Sequence, residues 1–195
     1  VWPLKALASY ILTSGDLEIL NESVPYMDAK LKFIDGQSLA QHIARTLDRI
    51  ESEFIPGTSL IRYGNGDWDD SLQPANTELA NRLVSGWTVG LLSQTLCELG
   101  EALKDFKLSD LSKRVDQLAS RVEADFRKYL FKDGLVAGFI LFDENYEVGV
   151  PLLHPEDETT GIKHRLIPMT RSIIAGLVSK EEAAHQMDVI HEHLY

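Results

Sequence analysis

Apolar residues recur at intervals of three and four along most of the chain, and this spacing predicts a mainly α-helical protein. Two capping boxes, Ser38 with Gln41 and Ser179 with Glu182, mark the starts of two helices. The predicted helices cover residues 3–13, 39–54, 78–103 and 109–126, one region from about residue 168, and residues 179–194.

The pattern changes between residues 134 and 150, where the helical period is lost. A continuous apolar run at residues 139–142 is followed by the turn-like residues 143–145 and then by Tyr146 and Val148. This arrangement predicts a short β-hairpin or an extended excursion from the helical fold.

Long connections follow residues 20, 56 and 143, and helix pairs joined in this way are typical of an α/α toroid or a helical bundle. A closed ring of six helix pairs needs about 200 residues even with short connections. The predicted fold is therefore mainly α, a partial (α/α)6 toroid or barrel with a short β-hairpin excursion. Because helical patterns run up to Val1 and Tyr195, we expect residues 1–195 to be a single domain, truncated at both ends from a larger one.

Composition and charge exclude several classes of partner. Acidic residues outnumber basic ones by 30 to 19, giving a net charge of −11, whereas binding to a nucleic-acid backbone needs a basic surface. No apolar stretch approaches the roughly 18 residues of a membrane span. Cys97 is the single cysteine, so no disulfide can form within the chain. We expect no nucleic-acid or membrane partner and a cytoplasmic location.

The loop at residues 62–74 carries the candidate chemistry. Its acidic residues Asp67, Asp69 and Asp70 surround Trp68. An indole ring can stack on the apolar face of a sugar, while carboxyl groups hydrogen-bond its hydroxyls or donate a proton to a glycosidic oxygen. Repulsion among the three carboxylates favours keeping one of them protonated near neutral pH, as a general acid requires.

Two plainer interpretations of this loop stay open. Asn65, Asp67 and Asp69 alternate as in a calcium loop, although Asp70 and Asn76 replace the glycine and glutamate such a loop needs. The loop is also compatible with a solvated acidic turn whose tryptophan fills the core.

The chain resembles glycoside hydrolase family 94, the cellobiose phosphorylase family. The sequence G-D-W-D-D at residues 66–70 resembles that family's G-D-W-N-D motif, and an upstream block resembles its Y…TGD…L-x-E…VPF stretch. His42 parallels a histidine often found between the two. The upstream block consists of Tyr10, Ser14, Gly15, Asp16, Leu20, Glu22, Val24, Pro25 and Tyr26.

One departure from the motif points to a branch of the family. Asp69 stands where cellobiose-type members have asparagine, and the chain is more similar to the branch that acts on β-1,2-linked glucooligosaccharides. Residues 152–155, 160–162 and 166–169 are also similar to that branch.

The resemblance implies an inverting phosphorylase, a hexosyltransferase that releases α-glucose 1-phosphate from a β-linked glucooligosaccharide. Asp70 would donate the proton to the leaving oxygen, Trp68 would contribute to the sugar subsite, and Asp69 and Gln73 would contact the acceptor sugar. Inorganic phosphate is the co-substrate, and no cofactor or metal is expected. The chain would be part of an (α/α)6 catalytic domain, inactive in isolation, in a full-length protein that forms a homodimer.

Residues 154–171 form the one cation-rich stretch and are candidates for lining the substrate site. The alternative to a substrate-lining role is that these side chains provide surface charge and pair with helix ends. The residues concerned are His154, His164, Arg165, Thr170 and Arg171. His185, His191 and His193 fit no metal-binding spacing.

Two rival functions remain at this point. A non-catalytic helical module would bind carbohydrate through the same loop without any reaction. An inverting glycosidase of the same architecture would release free glucose, but it requires a second carboxylate as base, which the sequence does not identify.

Overall fold

The computed structural model describes residues 1–64, 66, 73–105 and 109–194. Over these residues the chain is mainly α-helical, as the spacing of apolar positions predicts. Within these described ranges, no helix has the length and apolar content to cross a membrane. The helices are α1 (Trp2–Ser14), α2 (Leu39–Ser52), α3 (Thr77–Arg82), α4 (Gly86–Ala102), α5 (Ser109–Asp125), α6 (Leu166–Ile174) and α7 (Lys180–His193). The strands are β1 (Ser23–Met27), β2 (Phe33–Ser38), β3 (Leu83–Ser85), β4 (Phe131–Lys132), β5 (Leu135–Val136), β6 (Phe139–Phe142) and β7 (Gly149–Leu152).

Both predicted capping boxes are confirmed. The Ser38 hydroxyl accepts a hydrogen bond from the backbone of Gln41, and the Ser179 hydroxyl accepts one from the backbone of Glu182. In each case the longer side chain bonds back to the serine N–H, so two otherwise unpaired amides are satisfied at the start of the helix.

The prediction of one continuous helix at residues 78–103 is wrong. Residues Leu83–Ser85 are extended because they pair as β3 with β6, and the helix restarts at Gly86. The Gly86 N–H donates to the carbonyl of Gly138 at 2.9 Å. A Cβ atom at position 86 would lie 2.5 Å from the carbonyl oxygen of Ala137, so this approach requires glycine.

The hairpin predicted between residues 134 and 150 is confirmed as the antiparallel pair β6–β7, in which Phe139 lies opposite Leu152. With β3 it makes a three-stranded sheet in the order β3-β6-β7. The sequence did not predict a second hairpin, β1–β2, whose strands are mostly exposed and bulge at Pro25 and Tyr26.

Helix α4 is the centre of the core. It packs against α1, α5 and α6. Its buried apolar side chains are Trp87, Val89, Leu91, Leu92, Leu96 and Leu99. Burial on several faces explains why α4 reads as nearly continuous apolar sequence rather than as an amphipathic stripe.

Ion pairs join the outer surfaces of the helices. Lys5 of α1 contacts Glu98 of α4 at 2.7 Å. Arg114 of α5 contacts Asp48 and Glu51 of α2 at 2.7 and 3.0 Å. Such partly exposed pairs contribute little stability, so they set the register between helices more than they hold them together.

A pair of histidines joins the connection before α6 to the end of α7. The rings of His164 and His193 stack with their centroids 4.6 Å apart and an angle of 7° between their planes. Burial lowers the pKa of His164, and the neighbouring His193 and His154 lower it further, against a weaker opposite effect of Glu192.

We expect Leu96→Ala to lower the free energy of unfolding by about 2–5 kcal/mol, because it opens a cavity in the core around the fully buried Leu96 side chain of α4. Urea denaturation measures this change. The matched control is Leu31→Ala, at a side chain that is 77% exposed, and it should stay within about 0.5 kcal/mol of the parent. Equal effects of the two changes would contradict the placement of α4.

We expect the protein to lose stability as the pH falls below about 6.5, the ordinary pKa of histidine. The folded state binds a proton at His164 less readily than the unfolded chain does. The free energy of unfolding therefore has its full value above pH 6.5 and decreases as the pH falls below it. His164→Phe keeps an aromatic ring in the stack and should flatten the change in urea midpoint between about pH 7.5 and 5.5. An unaltered pH dependence in that variant would show that His164 is not responsible.

Candidate functional site

The acidic loop lies between α2 and α3. Trp68, Asp69 and Asp70 fall outside the described residues, so their roles stay predictions. Gln73 is the proposed site residue that the structure describes, and its side chain is exposed.

The N-terminal flank of the loop is fixed to α3 and β3 by backbone hydrogen bonds. The Tyr63 N–H donates to the carbonyl of Leu83 at 2.6 Å, and the Gly64 N–H donates to that of Ala80 at 3.0 Å. Gly64 and Gly66 have φ angles of 59° and 146°. Both angles lie in the left-handed range of φ that favours glycine.

Both flanks are anchored further by side chains. Asn76, just after the loop, caps α3 by accepting a hydrogen bond from the Leu79 N–H at 2.8 Å. On the other flank the Arg62 guanidinium donates to the Glu53 carboxylate at 2.6 Å, and this bond lowers the pKa of Glu53. The two ends of the loop are thus tied to fixed elements of the fold.

A small apolar cluster, separate from the main core, lies beneath the loop flanks. The rings of Tyr63 and Phe139 are tilted, with their centroids 6.3 Å apart. The cluster contains Tyr63, Ala80, Leu83, Phe139 and Leu153. It joins the loop flank to the β6–β7 hairpin and to the residue that follows β7.

Gln73 borders two pockets. One, of about 270 Å³, lies on the side of Tyr63, Gly64 and α3. The other, of about 250 Å³, has an apolar floor and includes residues from the segment after β7. The floor of this second pocket is formed by Leu79, Leu83, Phe139, Leu141, Leu152 and Leu153, and Gln73, Pro74, Thr159 and Thr160 complete the lining.

The upstream S-G-D block has a local structural role. The Ser14 hydroxyl donates to the carbonyl of Tyr10, and the Tyr10 hydroxyl donates to the Asp16 carboxylate at 2.9 Å. Gly15 ends α1 with a φ of 72°. The other Asp16 oxygen accepts a hydrogen bond from the Ile19 N–H, so the block ends one helix and begins the following 3-10 turn.

His42 also has a structural role. Its Nε2 lies 2.9 Å from the carbonyl oxygen of Val24, and its ring stacks on Tyr26 with a centroid distance of 4.2 Å. The Arg45 guanidinium lies over the same tyrosine at 4.7 Å. These contacts hold the β1–β2 hairpin against α2.

Members of the cation-rich stretch are used in packing. His154 is buried, with Nε2 3.2 Å from the Lys132 carbonyl oxygen and Nδ1 accepting from the Glu156 N–H. The Arg171 guanidinium lies 5.2 Å from the Trp87 ring and donates to Gln94. For these two residues the contacts indicate a role in packing rather than in lining a substrate site, and the burial of His154 also departs from the alternative of surface charge.

The residues that would form the alternative calcium loop begin outside the described part of the chain. Among the residues that the structure does describe, no group of three or more His, Cys, Asp or Glu side chains is arranged to hold a metal ion.

Sequence reasoning missed Asp157, a fully buried carboxylate in the loop after β7. It accepts hydrogen bonds from the N–H groups of Leu153, Thr159 and Thr160 at 2.8, 2.7 and 2.9 Å, and from the Thr160 hydroxyl. Burial alone would raise the pKa of Asp157, but these hydrogen bonds lower it below its ordinary value. Threonines two and three positions after an aspartate are the signal that could have identified this turn.

Comparison with known proteins matches all of residues 1–195 to the family model described as the glycosyl hydrolase 94 superfamily, catalytic domain. The chain is 42% identical over its whole length to a 1,2-beta-oligoglucan phosphorylase of Listeria innocua, of which it covers 18%. It is 28% identical, over 63% of its length, to a solabiose phosphorylase of Paenibacillus borealis, of which it covers 15%. It is 22% identical over its whole length to an N,N'-diacetylchitobiose phosphorylase of Vibrio furnissii, of which it covers 22%.

The chain thus spans about a fifth of the length of the curated relatives it matches. The resemblance seen in the G-D-W-D-D loop and the upstream block is confirmed by a match that extends over every residue. This chain belongs to the glycosyl hydrolase 94 superfamily, matching the model of its catalytic domain.

Proposed function

We propose that the chain is part of the catalytic domain of an inverting phosphorylase, a hexosyltransferase that cleaves β-1,2-linked glucooligosaccharides with inorganic phosphate. The observation that carries this proposal is the 42% identity over the whole chain to a 1,2-beta-oligoglucan phosphorylase. The product would be α-glucose 1-phosphate, together with an oligosaccharide shorter by one glucose.

The proposed reaction needs one acid from the protein. Asp70, protonated, gives its proton to the glycosidic oxygen while the bond between that oxygen and the anomeric carbon breaks. A phosphate oxygen forms a new bond to the anomeric carbon from the opposite face, which inverts its configuration. Because phosphate is already an anion, the base that an inverting hydrolase needs to activate water is not required.

The described flanks of the loop support this role. An acid that donates to a leaving oxygen must be held within hydrogen-bonding distance of it, since small misplacements reduce the rate strongly. Tyr63 and Gly64 on one side, and Asn76 on the other, tie the loop to α3 and β3. Trp68 is proposed to stack on a sugar ring, and Asp69 and Gln73 to contact the acceptor sugar.

We also propose that the chain forms part of an (α/α)6 toroid. Apart from the short α3, the helices follow one another as three pairs, α1/α2, α4/α5 and α6/α7. Helix α4 contacts both α1 and α6, as an inner helix of such a ring would contact its neighbours. The remaining helices and the phosphate ligands would come from other parts of a homodimeric cytoplasmic protein. The chain alone would then be inactive.

We expect Asp70→Asn, in the full-length protein, to reduce phosphorolysis by roughly two to four orders of magnitude, because an amide cannot donate the proton that a carboxylic acid gives. The measurement is α-glucose 1-phosphate released from a β-1,2-linked glucooligosaccharide. The matched control, Asp188→Asn on the exposed face of α7, should retain parent activity. Parent-like turnover in the Asp70 variant would remove Asp70 from this role.

We expect the reaction of the unmodified full-length protein to stop when phosphate is omitted, because phosphate is the proposed nucleophile. Free glucose formed without phosphate would indicate an inverting glycosidase instead. Oligosaccharide binding without any product, with or without phosphate, would indicate the non-catalytic module.

A further inference from the structure

The segment between β7 and α6, residues 153–163, meets the N-terminal flank of the acidic loop. Its first residue, Leu153, is 1% exposed and belongs to the apolar cluster that contains Tyr63 and Phe139. The Tyr63 N–H is one of the groups that tie this flank to the fold, through its bond to β3. Because closely packed side chains do not move independently, a shift of Leu153 would be transmitted to the flank.

The same segment also borders the C-terminal flank of the loop. Thr159 and Thr160 line the cavity of about 250 Å³ that Gln73 and Pro74 of this flank also line. The flanks are separated in sequence by the loop itself, yet residues 153–163 lie beside both of them. A change in the conformation of this one segment would therefore reach both ends of the loop.

A buried carboxylate holds the segment together. Placing a carboxylate in a protein interior is costly unless several donors compensate for the lost water. The fully buried Asp157 accepts four hydrogen bonds, all from its own segment, and they come from Leu153, Thr159 and Thr160. Because these bonds end on one side chain, Asp157 joins the part of the segment beside the N-terminal flank to the part beside the C-terminal flank.

Further hydrogen bonds fix the turn that carries this carboxylate. The Asp157 N–H donates to the carbonyl of His154 at 2.8 Å, and His154 Nε2 lies 3.2 Å from the carbonyl oxygen of Lys132 in β4. Lys163 donates to the carbonyls of Pro155 and Asp157 at 3.1 and 2.6 Å. The turn is thus attached to β4 and closed on itself, so the carboxylate has a fixed position.

The segment begins with a strained residue that this carboxylate helps to hold. Leu153 has a φ of 54°, a conformation that is unfavourable for a branched side chain. A Cβ atom at Gly138 would lie 2.6 Å from the Leu153 side chain, so the packing around it is tight. Strain of this kind persists only where surrounding contacts enforce it, and the 2.8 Å bond from the Leu153 N–H to Asp157 is one of those contacts. Loss of the carboxylate would therefore let Leu153 relax.

We propose that Asp157 is a positioning residue for the acidic loop and holds both flanks of the loop where Asp70 can give its proton to the leaving oxygen. The proposal rests on the proposed phosphorylase function, in which Asp70 is the acid. Asp157 acts through Leu153 and Thr160 on the two flanks, without contact to the substrate. A misplacement of about 1 Å caused far from the reacting atoms can reduce a rate about a hundredfold, so an effect of this kind is measurable.

The test is a double-mutant cycle in the full-length protein, with kcat for phosphorolysis of a β-1,2-linked glucooligosaccharide as the readout. Asp157→Asn keeps the size of the side chain but replaces one acceptor oxygen by an NH2 group, so it cannot accept all four hydrogen bonds. We expect it to lower kcat about ten- to a hundredfold, with the KM for phosphate changed by less than about twofold. In the Asp70→Asn background no acid is left to position, and the same change should lower kcat by less than about twofold.

Thr160 provides a second pair of variants, measured in the same two backgrounds, which decides the question if Asp157→Asn does not fold. Thr160→Val removes the hydroxyl that donates to Asp157 and should lower kcat about two- to tenfold, the effect of one lost hydrogen bond. Thr160→Ser keeps a hydroxyl and should restore parent kcat. The matched control is Thr46→Val on α2, whose hydroxyl donates to the carbonyl of His42, and it should leave kcat unchanged.

Equal losses of kcat in the parent and in the Asp70→Asn background would show that Asp157 serves the fold alone, and would overturn the inference. An unchanged kcat in both Asp157→Asn and Thr160→Val would overturn it as well. The proposed function fails by different results, namely no phosphate-dependent reaction in the unmodified protein or parent-like turnover in Asp70→Asn. The two failures are therefore distinguishable.

Discussion

The fold depends on how closely the start of α4 approaches residues 137 and 138. Gly86 donates its N–H to the Gly138 carbonyl and has no space for a side chain beside the Ala137 carbonyl. This contact fixes the central helix against the segment that leads into β6. Because β3 directly precedes Gly86, it also fixes the strand whose Leu83 carbonyl holds Tyr63. One backbone approach thus helps to set the separation between Tyr63, on the N-terminal flank of the acidic loop, and the β6–β7 hairpin.

Electrostatics gives a second constraint. The chain carries a net charge of −11, and the proposed reaction must still bring phosphate to the site. Several basic side chains that the structure describes are engaged within the fold, as Lys5 with Glu98, Arg127 with Glu182 and Arg171 with Trp87 and Gln94. A basic side chain with such partners is less available to bind phosphate. This supports the proposal that phosphate is bound mainly by other parts of the full-length protein.

The sequence predicted those parts of the fold that depend on local signals. The capping boxes at Ser38 and Ser179 each use residues three positions apart, and the apolar run at 139–142 read correctly as a strand. Residues Leu83–Ser85 were assigned to a helix because their apolar spacing fits one, whereas their extended form depends on pairing with β6, more than fifty residues later. The β1–β2 hairpin was missed because its strands are mostly exposed and lack the apolar alternation of a half-buried strand.

The candidate site was likewise predicted only where its residues are close together in the sequence. The acidic loop was identifiable because its residues are consecutive, and the family match agrees with the resemblance they carry. Asp157 was not identifiable, because in the sequence it is an ordinary carboxylate in a polar stretch. Its burial and its four hydrogen-bond donors exist only in the folded chain. The cation-rich stretch could not be assigned from the sequence: His154 and Arg171 are suitable for binding anions, and only the structure shows that their partners in the fold occupy them.

The proposed chemistry gives importance to the order of the segments around the acidic loop. A reaction that uses phosphate as nucleophile needs no protein base, so the protein contributes chiefly one proton and the placement of two sugars. Placement is effective only if the groups that achieve it do not have to be ordered when substrate binds. Asp157 orders Thr159 and Thr160 at the cost of burying a charge, and the apolar cluster that contains Tyr63, Phe139 and Leu153 joins the N-terminal flank of the acidic loop to the residue after β7. The buried charge and the apolar cluster therefore order the two segments that lie beside the described flanks of the acidic loop.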